Sequence, residues 1–357
     1  MTVSYDLTSK VKQFLKELPK CEHHLHLEGT LEPDLLFPLA KRNNVALPLN
    51  FPQTVEELNE KYKKFDDLQD FLNFYYMGCQ VLINECDFYE LAWQYFLKVH
   101  KQGLRHAELF FDPQSHTERG ISVDTVYQGF AKACEKAECE LGITSKLIMC
   151  ILRDCPLQKC QDLVEKDAAH LIKEGKVHGL GLDSAEKPFP PELFTNIYAS
   201  AKKLNPELRL TAHAGEEGDY TYVQNSIDFL KVERIDHGVN SVQSDELLRQ
   251  LSANKTMLTV CPLSNIKLQV FQDLKELPLL KLLEFGVPFS LNSDDPAYFG
   301  GYILDNYYAV HETFGFDYKT WGDIVINTIN GSWCDEDRKS ELIKLTRDVV
   351  NKYTNTH

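Results

Sequence analysis

Short runs of aliphatic and β-branched residues recur along this chain, separated by longer stretches in which apolar residues return every three or four positions. The first kind of run predicts buried strands and the second predicts amphipathic helices. Strand-like runs lie near Cys21 to Leu27, Leu104 to Phe111, Ser145 to Leu152, Val177 to Leu182, Leu208 to Ala212, Arg234 to Asp236, Met257 to Val260 and Phe289 to Leu291. Between most of them sit stretches long enough for a crossover helix, such as Ser122 to Glu140, Gln158 to Lys173, Glu192 to Lys203 and Tyr222 to Val232. Eight strands alternating with helices predict an α/β chain closed into a (β/α)8 barrel of the TIM type.

About 75 residues separate the first two strands, too many for one helix. The pattern there, Val55 to Leu58 followed by Phe65, Leu68, Phe71 and Leu72, predicts an inserted helical layer. That stripe has helical spacing and reads as core more readily than as a lid. Beyond Tyr318, the pattern that includes Ser340 to Lys352 predicts terminal helices closing one side. No Pro/Ser/Gly-rich linker and no internal repeat divides the chain, so residues 1–357 read as one domain.

Reactive residues fall where such a barrel would use them. The proposed strands end in or just before His26, Asp112, Arg153, Asp183, His213, His237, Cys261 and Asp294. In this fold those ends meet on one face, where active sites are built.

Composition then narrows the partners. With 43% hydrophobic and 25% charged residues the chain matches an ordinary globular protein, which excludes disorder and fibrous repeats. A net charge of −15 opposes nucleic acid and anionic membranes. Ten scattered cysteines without a Cys-x-x-Cys pair read as reduced thiols, and no apolar signal or spanning segment is visible. A soluble protein of the cytoplasm, with the nucleus open as well, is the expectation; the pattern leaves oligomeric state open.

Four segments carry the chemistry. In Cys21-Glu22-His23-His24-Leu25-His26-Leu27-Glu28-Gly29, strand alternation turns His24 and His26 to one face and His23 to the other. In Thr211-Ala212-His213-Ala214-Gly215-Glu216-Glu217, a glycine turn sets an imidazole beside the Glu216 carboxyl, and Glu217 reads as a surface charge. Ile235-Asp236-His237-Gly238 places a histidine at the sixth strand end. Ser290-Leu291-Asn292-Ser293-Asp294-Asp295-Pro296 sets two adjacent carboxylates after a buried strand, a costly pair without a cation or substrate. Together these supply His24, His26, His213 and Asp294 as metal ligands and leave Glu216, His237 and Asp295 for chemistry. The donors suit one zinc ion per chain, with iron and manganese left open by donor type alone. Such a metal lowers the pKa of a bound water towards about 7.

Competing signatures are missing. His26-Leu27-Glu28 satisfies half of the cytidine-deaminase-type zinc pattern, but the Pro-Cys-x-x-Cys half is absent. No phosphate-binding loop, nucleophile elbow or dinucleotide fingerprint occurs either.

The four segments, in their order and spacing over roughly residues 18 to 335, resemble the adenosine/adenine deaminase family of the amidohydrolase superfamily. The resemblance implies a zinc-bearing barrel in which His24, His26, His213 and Asp294 bind the metal. It also implies that Glu216 gives a proton to purine N1, that His237 orients or deprotonates the attacking water, and that Asp295 hydrogen-bonds the ring near N7. Two departures bear on substrate: Glu28 stands where adenosine deaminases usually carry an aspartate, and Glu186, in Asp183-Ser184-Ala185-Glu186, replaces a glycine whose amide meets the purine. Both would shrink the pocket, with Gly29 and Ser184 beside them. The Asp-Ser-Ala-Glu turn and the Phe111 to Gly120 loop resemble the adenine-acting branch, particularly its fungal members, with Arg119 in that loop reading as solvated. The resemblance therefore implies a purine-salvage enzyme that takes a small purine base, converting adenine to hypoxanthine and ammonia. Adenosine or an N6-substituted adenine or its nucleotide is the alternative substrate for the same mechanism.

Overall fold

The computed structural model describes Tyr5 and residues 7–355. Its strands are β1 (Lys20–Glu22), β2 (Leu104–Phe111), β3 (Thr144–Leu152), β4 (Gly179–Asp183), β5 (Arg209–Ala214), β6 (Arg234–His237), β7 (Met257–Val260) and β8 (Phe289–Leu291). Each pairs in parallel with the next. Their sequences are runs rather than alternations because both faces are covered: Leu147 to Leu152 of β3 is buried throughout.

The first strand is shorter than its apolar pattern suggests. Its ladder stops at Glu22, and the residues after it divide their pairing, Leu25 bridging to Asp294 and His26 to Phe110. A segment wedged between the ends of β8 and β2 splits its backbone bonds between them and cannot keep a regular ladder with either. This wedge closes the ring: the His26 N–H donates to Asp294 O and the Asp294 N–H to His24 O, both at 3.1 Å. The stretch expected as one helix over 158–173 is interrupted by a wide turn, Leu163–Asp167, whose i→i+5 bond joins Ala168 N–H to Leu163 O at 2.8 Å. The extra residue keeps Leu163 and Val164 on the buried side with Ala168, Leu171 and Ile172.

The layer inserted between β1 and β2 consists of helices Pro33–Arg42, Val55–Lys61, Leu68–Cys79 and Glu85–His100. Leu68–Cys79 starts cleanly because Asp67 caps it, accepting from Asp70 N–H at 2.8 Å. Its aromatic side packs on the segment after β8, Phe71 lying 4.8 Å from the Phe299 ring and 5.4 Å from Tyr298. The terminal helices, Tyr318–Gly331 and Glu336–Thr354, cover the barrel wall around the fully buried Trp321.

The start of β6 carries a buried charge. The Arg234 guanidinium pairs with Glu108 of β2 and stacks on Trp333 at 4.0 Å. Burial would raise the Glu108 pKa, but Arg234 and His23 hold the carboxyl far below its ordinary range. Removing the guanidinium strands that carboxylate. Arg234→Ala is expected to lower unfolding free energy by about 3–5 kcal/mol, read from chemical denaturation midpoints; an unchanged midpoint would show the pair contributes nothing.

Candidate active site

Three imidazoles and a carboxylate meet at the C-terminal mouth of the barrel. The Nε2 atoms of His26 and His213 are 3.2 Å apart, and Asp294 Oδ1 stands 3.2 Å from His24 Nε2 and 3.5 Å from His26 Nε2. All four residues are buried.

The outer ring nitrogens decide which atoms are free. Asp236 accepts from Thr211 Oγ1 at 2.7 Å and from Thr259 Oγ1 at 3.0 Å. With its proton committed to Asp236, Thr259 Oγ1 accepts from His24 Nδ1 at 2.9 Å. The His24 proton therefore sits on Nδ1, and its buried Nε2, which has no hydrogen-bond partner, presents a lone pair. Carboxylates also lie on the Nδ1 sides of the other two rings: Asp236 is 3.7 Å from His213 Nδ1 and Asp183 is 3.6 Å from His26 Nδ1. Outer carboxylates of this kind orient histidine ligands. The inward Nε2 atoms of His26 and His213 stand 3.2 Å apart. That spacing is close to the edge of about 3.3 Å that a tetrahedral site with metal–nitrogen bonds near 2.0–2.1 Å requires. The donor set fits a divalent metal.

Beside this cluster lies a cavity lined by Glu216, His237, Asp295, Asp112, Asp183 and Ser184 among others. His237, Asp294 and Ser184 have φ values of 62°, 61° and 67° although none is glycine. Three such residues around one cavity mark a place where the backbone is held in costly conformations to aim its side chains.

His237 Nε2 is 3.4 Å from Glu216 Oε2 and 3.8 Å from Asp294 Oδ2. Burial, then the neighbouring His24, push His237 down to about 3, so its ring is neutral. Glu216 is driven well above the usual carboxylate range by burial and by Asp294 and Glu186, which favours the protonated acid. Asp295 is raised in the same direction by burial and Asp294.

The remaining residues expected at the substrate fall into different places. Ser184 lines the cavity, its Oγ accepting from Tyr76 OH at 3.3 Å. Gly29 meets Asp295 instead: a Cβ there would lie 1.9 Å from Asp295 Oδ1, so only glycine leaves the carboxyl its position. Glu28 turns away from the cavity, its Oε1 accepting from the Asp112 N–H at 3.1 Å. Burial beside Asp112 raises its pKa to about 8.

Glu186 does not project into the cavity either. Its carboxylate accepts from the N–H groups of Gly215 at 3.1 Å, Glu216 at 2.8 Å and Gly218 at 3.0 Å. In return Glu217, expected as a surface charge, accepts from the Glu186 N–H at 2.8 Å. The side chain thus fixes the turn carrying Glu216. Glu186→Gln loses one acceptor oxygen and the charge, and is expected to lower kcat by about 100-fold with little change in KM. Equal KM and kcat effects in steady-state kinetics would remove this positioning role.

One residue of the site lay outside the sequence reading. Asn265 Nδ2 lies 3.3 Å from Glu216 Oε1 and 3.4 Å from His237 Nδ1, placed there by a helix that Pro262 starts directly after β7. Arg119, expected in solvent, donates to the carbonyls of Cys79, Gln80 and Leu82 at 3.0–3.2 Å and closes the end of helix Leu68–Cys79. That helix is both core and cavity wall: Leu68, Phe71, Leu72 and Tyr75 line the pocket.

A parallel eight-stranded barrel with a buried histidine–carboxylate cluster at its C-terminal mouth has the build of a metal-dependent hydrolase. The profile described as adenosine deaminase matches residues 19–349, and the chain belongs to that family. It is 64% identical to an adenine deaminase of Candida glabrata, over 96% of this chain and 99% of that protein. The adenine deaminase of Saccharomyces cerevisiae is 63% identical over the same shares. Among solved structures, an adenine deaminase from Arthrobacter aurescens superposes with a TM-score of 0.88 at 39% identity, covering 94% of this chain and 99% of that one. Among the described residues, no helix is long and apolar enough to cross a membrane.

Proposed function

We propose that this protein hydrolyses adenine to hypoxanthine and ammonia in purine salvage, with one zinc ion per chain. The carrying observation is identity of 64% across nearly the whole of both chains to a protein named adenine deaminase. His24, His26, His213 and Asp294 would hold the metal, which when bound supplies hydroxide near neutral pH by lowering the pKa of water.

The protein's own groups do the rest. Glu216 delivers a proton to ring N1, withdrawing electron density so that C6 accepts the water oxygen. His237 orients that water and takes its proton. Asp295 hydrogen-bonds the ring near N7 and fixes its rotation. Helix Leu68–Cys79 keeps bulk water from the cavity. Proton return to the exocyclic nitrogen releases ammonia and leaves the carbonyl of hypoxanthine. All ten cysteines are free, in keeping with a reducing compartment, the cytoplasm or nucleus.

The test is an ultraviolet assay with adenine and adenosine in parallel on purified protein of measured metal content. Loss of adenine absorbance alone supports the reading. Turnover of adenosine instead moves the substrate to the nucleoside, and turnover of neither by metal-loaded protein overturns it.

A further inference from the structure

A carboxylate of the cavity wall has a free oxygen and no part in the steps above. Asp112, at the end of β2, is 2% exposed and lines the cavity, and its Oδ1 has no hydrogen-bond partner. Its Oδ2 accepts from Tyr75 OH at 3.2 Å. The backbone behind it is fixed in turn. The Asp112 N–H donates to Glu28 Oε1 at 3.1 Å, and the same oxygen lies 3.1 Å from His116 Nε2. Arg119 donates to His116 Nδ1 at 2.6 Å, so Nε2 holds the ring proton and gives it to Glu28. Arg119, His116 and Glu28 in series fix the Asp112 backbone, and Tyr75 fixes its Oδ2, so the carboxylate is held at the cavity wall.

The direction of that oxygen identifies what it meets, given the substrate reading above, on which this inference rests. With N1 at Glu216 on the β5 side, N7 at Asp295 on the β8 side and C6 between them, the N3–N9 edge faces the ends of β2 and β4. There Asp183 is turned to His26 Nδ1 at 3.6 Å and Ser184 to Tyr76. Asp112 Oδ1 remains. We propose that Asp112 accepts the N9–H of the free purine base and so is the residue that selects base over nucleoside. A nucleoside has no proton at N9, leaves the buried oxygen unpaired and directs its sugar against Tyr75 and Leu152, which line the same wall.

The probes are adenine and 9-methyladenine, which differ at that proton, with the metal-loaded protein and its Asp112→Ala variant. The unsubstituted enzyme is expected to turn over adenine in strong preference to 9-methyladenine. In Asp112→Ala, kcat/KM for adenine should fall about 100-fold while that for 9-methyladenine holds or rises, so that the preference collapses. Asp112→Asn, which keeps the shape, should shift the preference the same way and serves if the alanine variant does not fold. An unchanged adenine to 9-methyladenine ratio in the folded variants overturns the inference alone. Failure of the unsubstituted enzyme to act on adenine overturns the substrate reading, and this inference with it.

Discussion

Glu216→Gln is expected to keep its fold and its metal and to lose about 10³- to 10⁴-fold in kcat, within the range positioned proton transfer supplies. The substitution isolates the proton because so little else changes. Glutamine has the same shape, its side-chain oxygen can still accept from Asn265 Nδ2, now at 3.3 Å, and the backbone stays tied to Glu186 through the Glu216 N–H at 2.8 Å. What disappears is a carboxyl that burial and the neighbouring Asp294 and Glu186 hold in its protonated form. An amide cannot pass a proton to N1, so C6 stays electron-rich. Single-turnover kinetics with adenine, beside metal analysis and thermal unfolding of the same sample, read the effect. A variant within tenfold of the parent rate would remove Glu216 as the acid; a variant that lost its metal would show that Glu216 supports the metal cluster instead.

Much of this centre could be read from local sequence, and the parts that could not share a cause. His24 and His26 face one way because adjacent positions alternate, and a glycine after His213 predicts a turn, so both follow from neighbours in the chain. The strand-end rule also flagged Asp112 and Asp183. Glu186 was a different matter. Its sequence shows a carboxylate where a smaller residue was expected, which suggests a narrowed pocket, but its partners are Gly215, Glu216 and Gly218, 29 to 32 positions away. Only the parallel seating of β4 beside β5 makes the side chain a clamp rather than a wall. Glu28 was misplaced for the same reason: its partners are Asp112 and His116, 84 and 88 positions on. The stripe Phe65, Leu68, Phe71 and Leu72 has the spacing of core, and Phe71 packs as core on Tyr298 and Phe299; periodicity says which side is apolar and not that this side also lines a cavity.

His213→Ala should have the largest effect of all, and it separates the metal from the acid. His213 Nε2 stands 3.2 Å from His26 Nε2, and its Nδ1 faces Asp236 at 3.7 Å, so the ring links the central cluster to the outer carboxylate that also positions His24 through Thr259. Loss of an outer partner alone costs roughly 10- to 100-fold in metal affinity, and loss of the ligand itself should exceed that. After dialysis, the parent is expected to hold about one zinc per chain and the variant well under a tenth of that. Activity should fall by at least about 10⁴-fold, because water without a metal returns towards a pKa of about 15.7. Partial recovery with excess zinc and an unchanged circular dichroism spectrum would assign the loss to the ligand rather than the fold. Full metal stoichiometry in a folded His213→Ala would instead exclude His213 as a ligand and leave His24, His26 and Asp294 to hold the ion with His237, whose Nε2 lies 3.8 Å from Asp294 Oδ2.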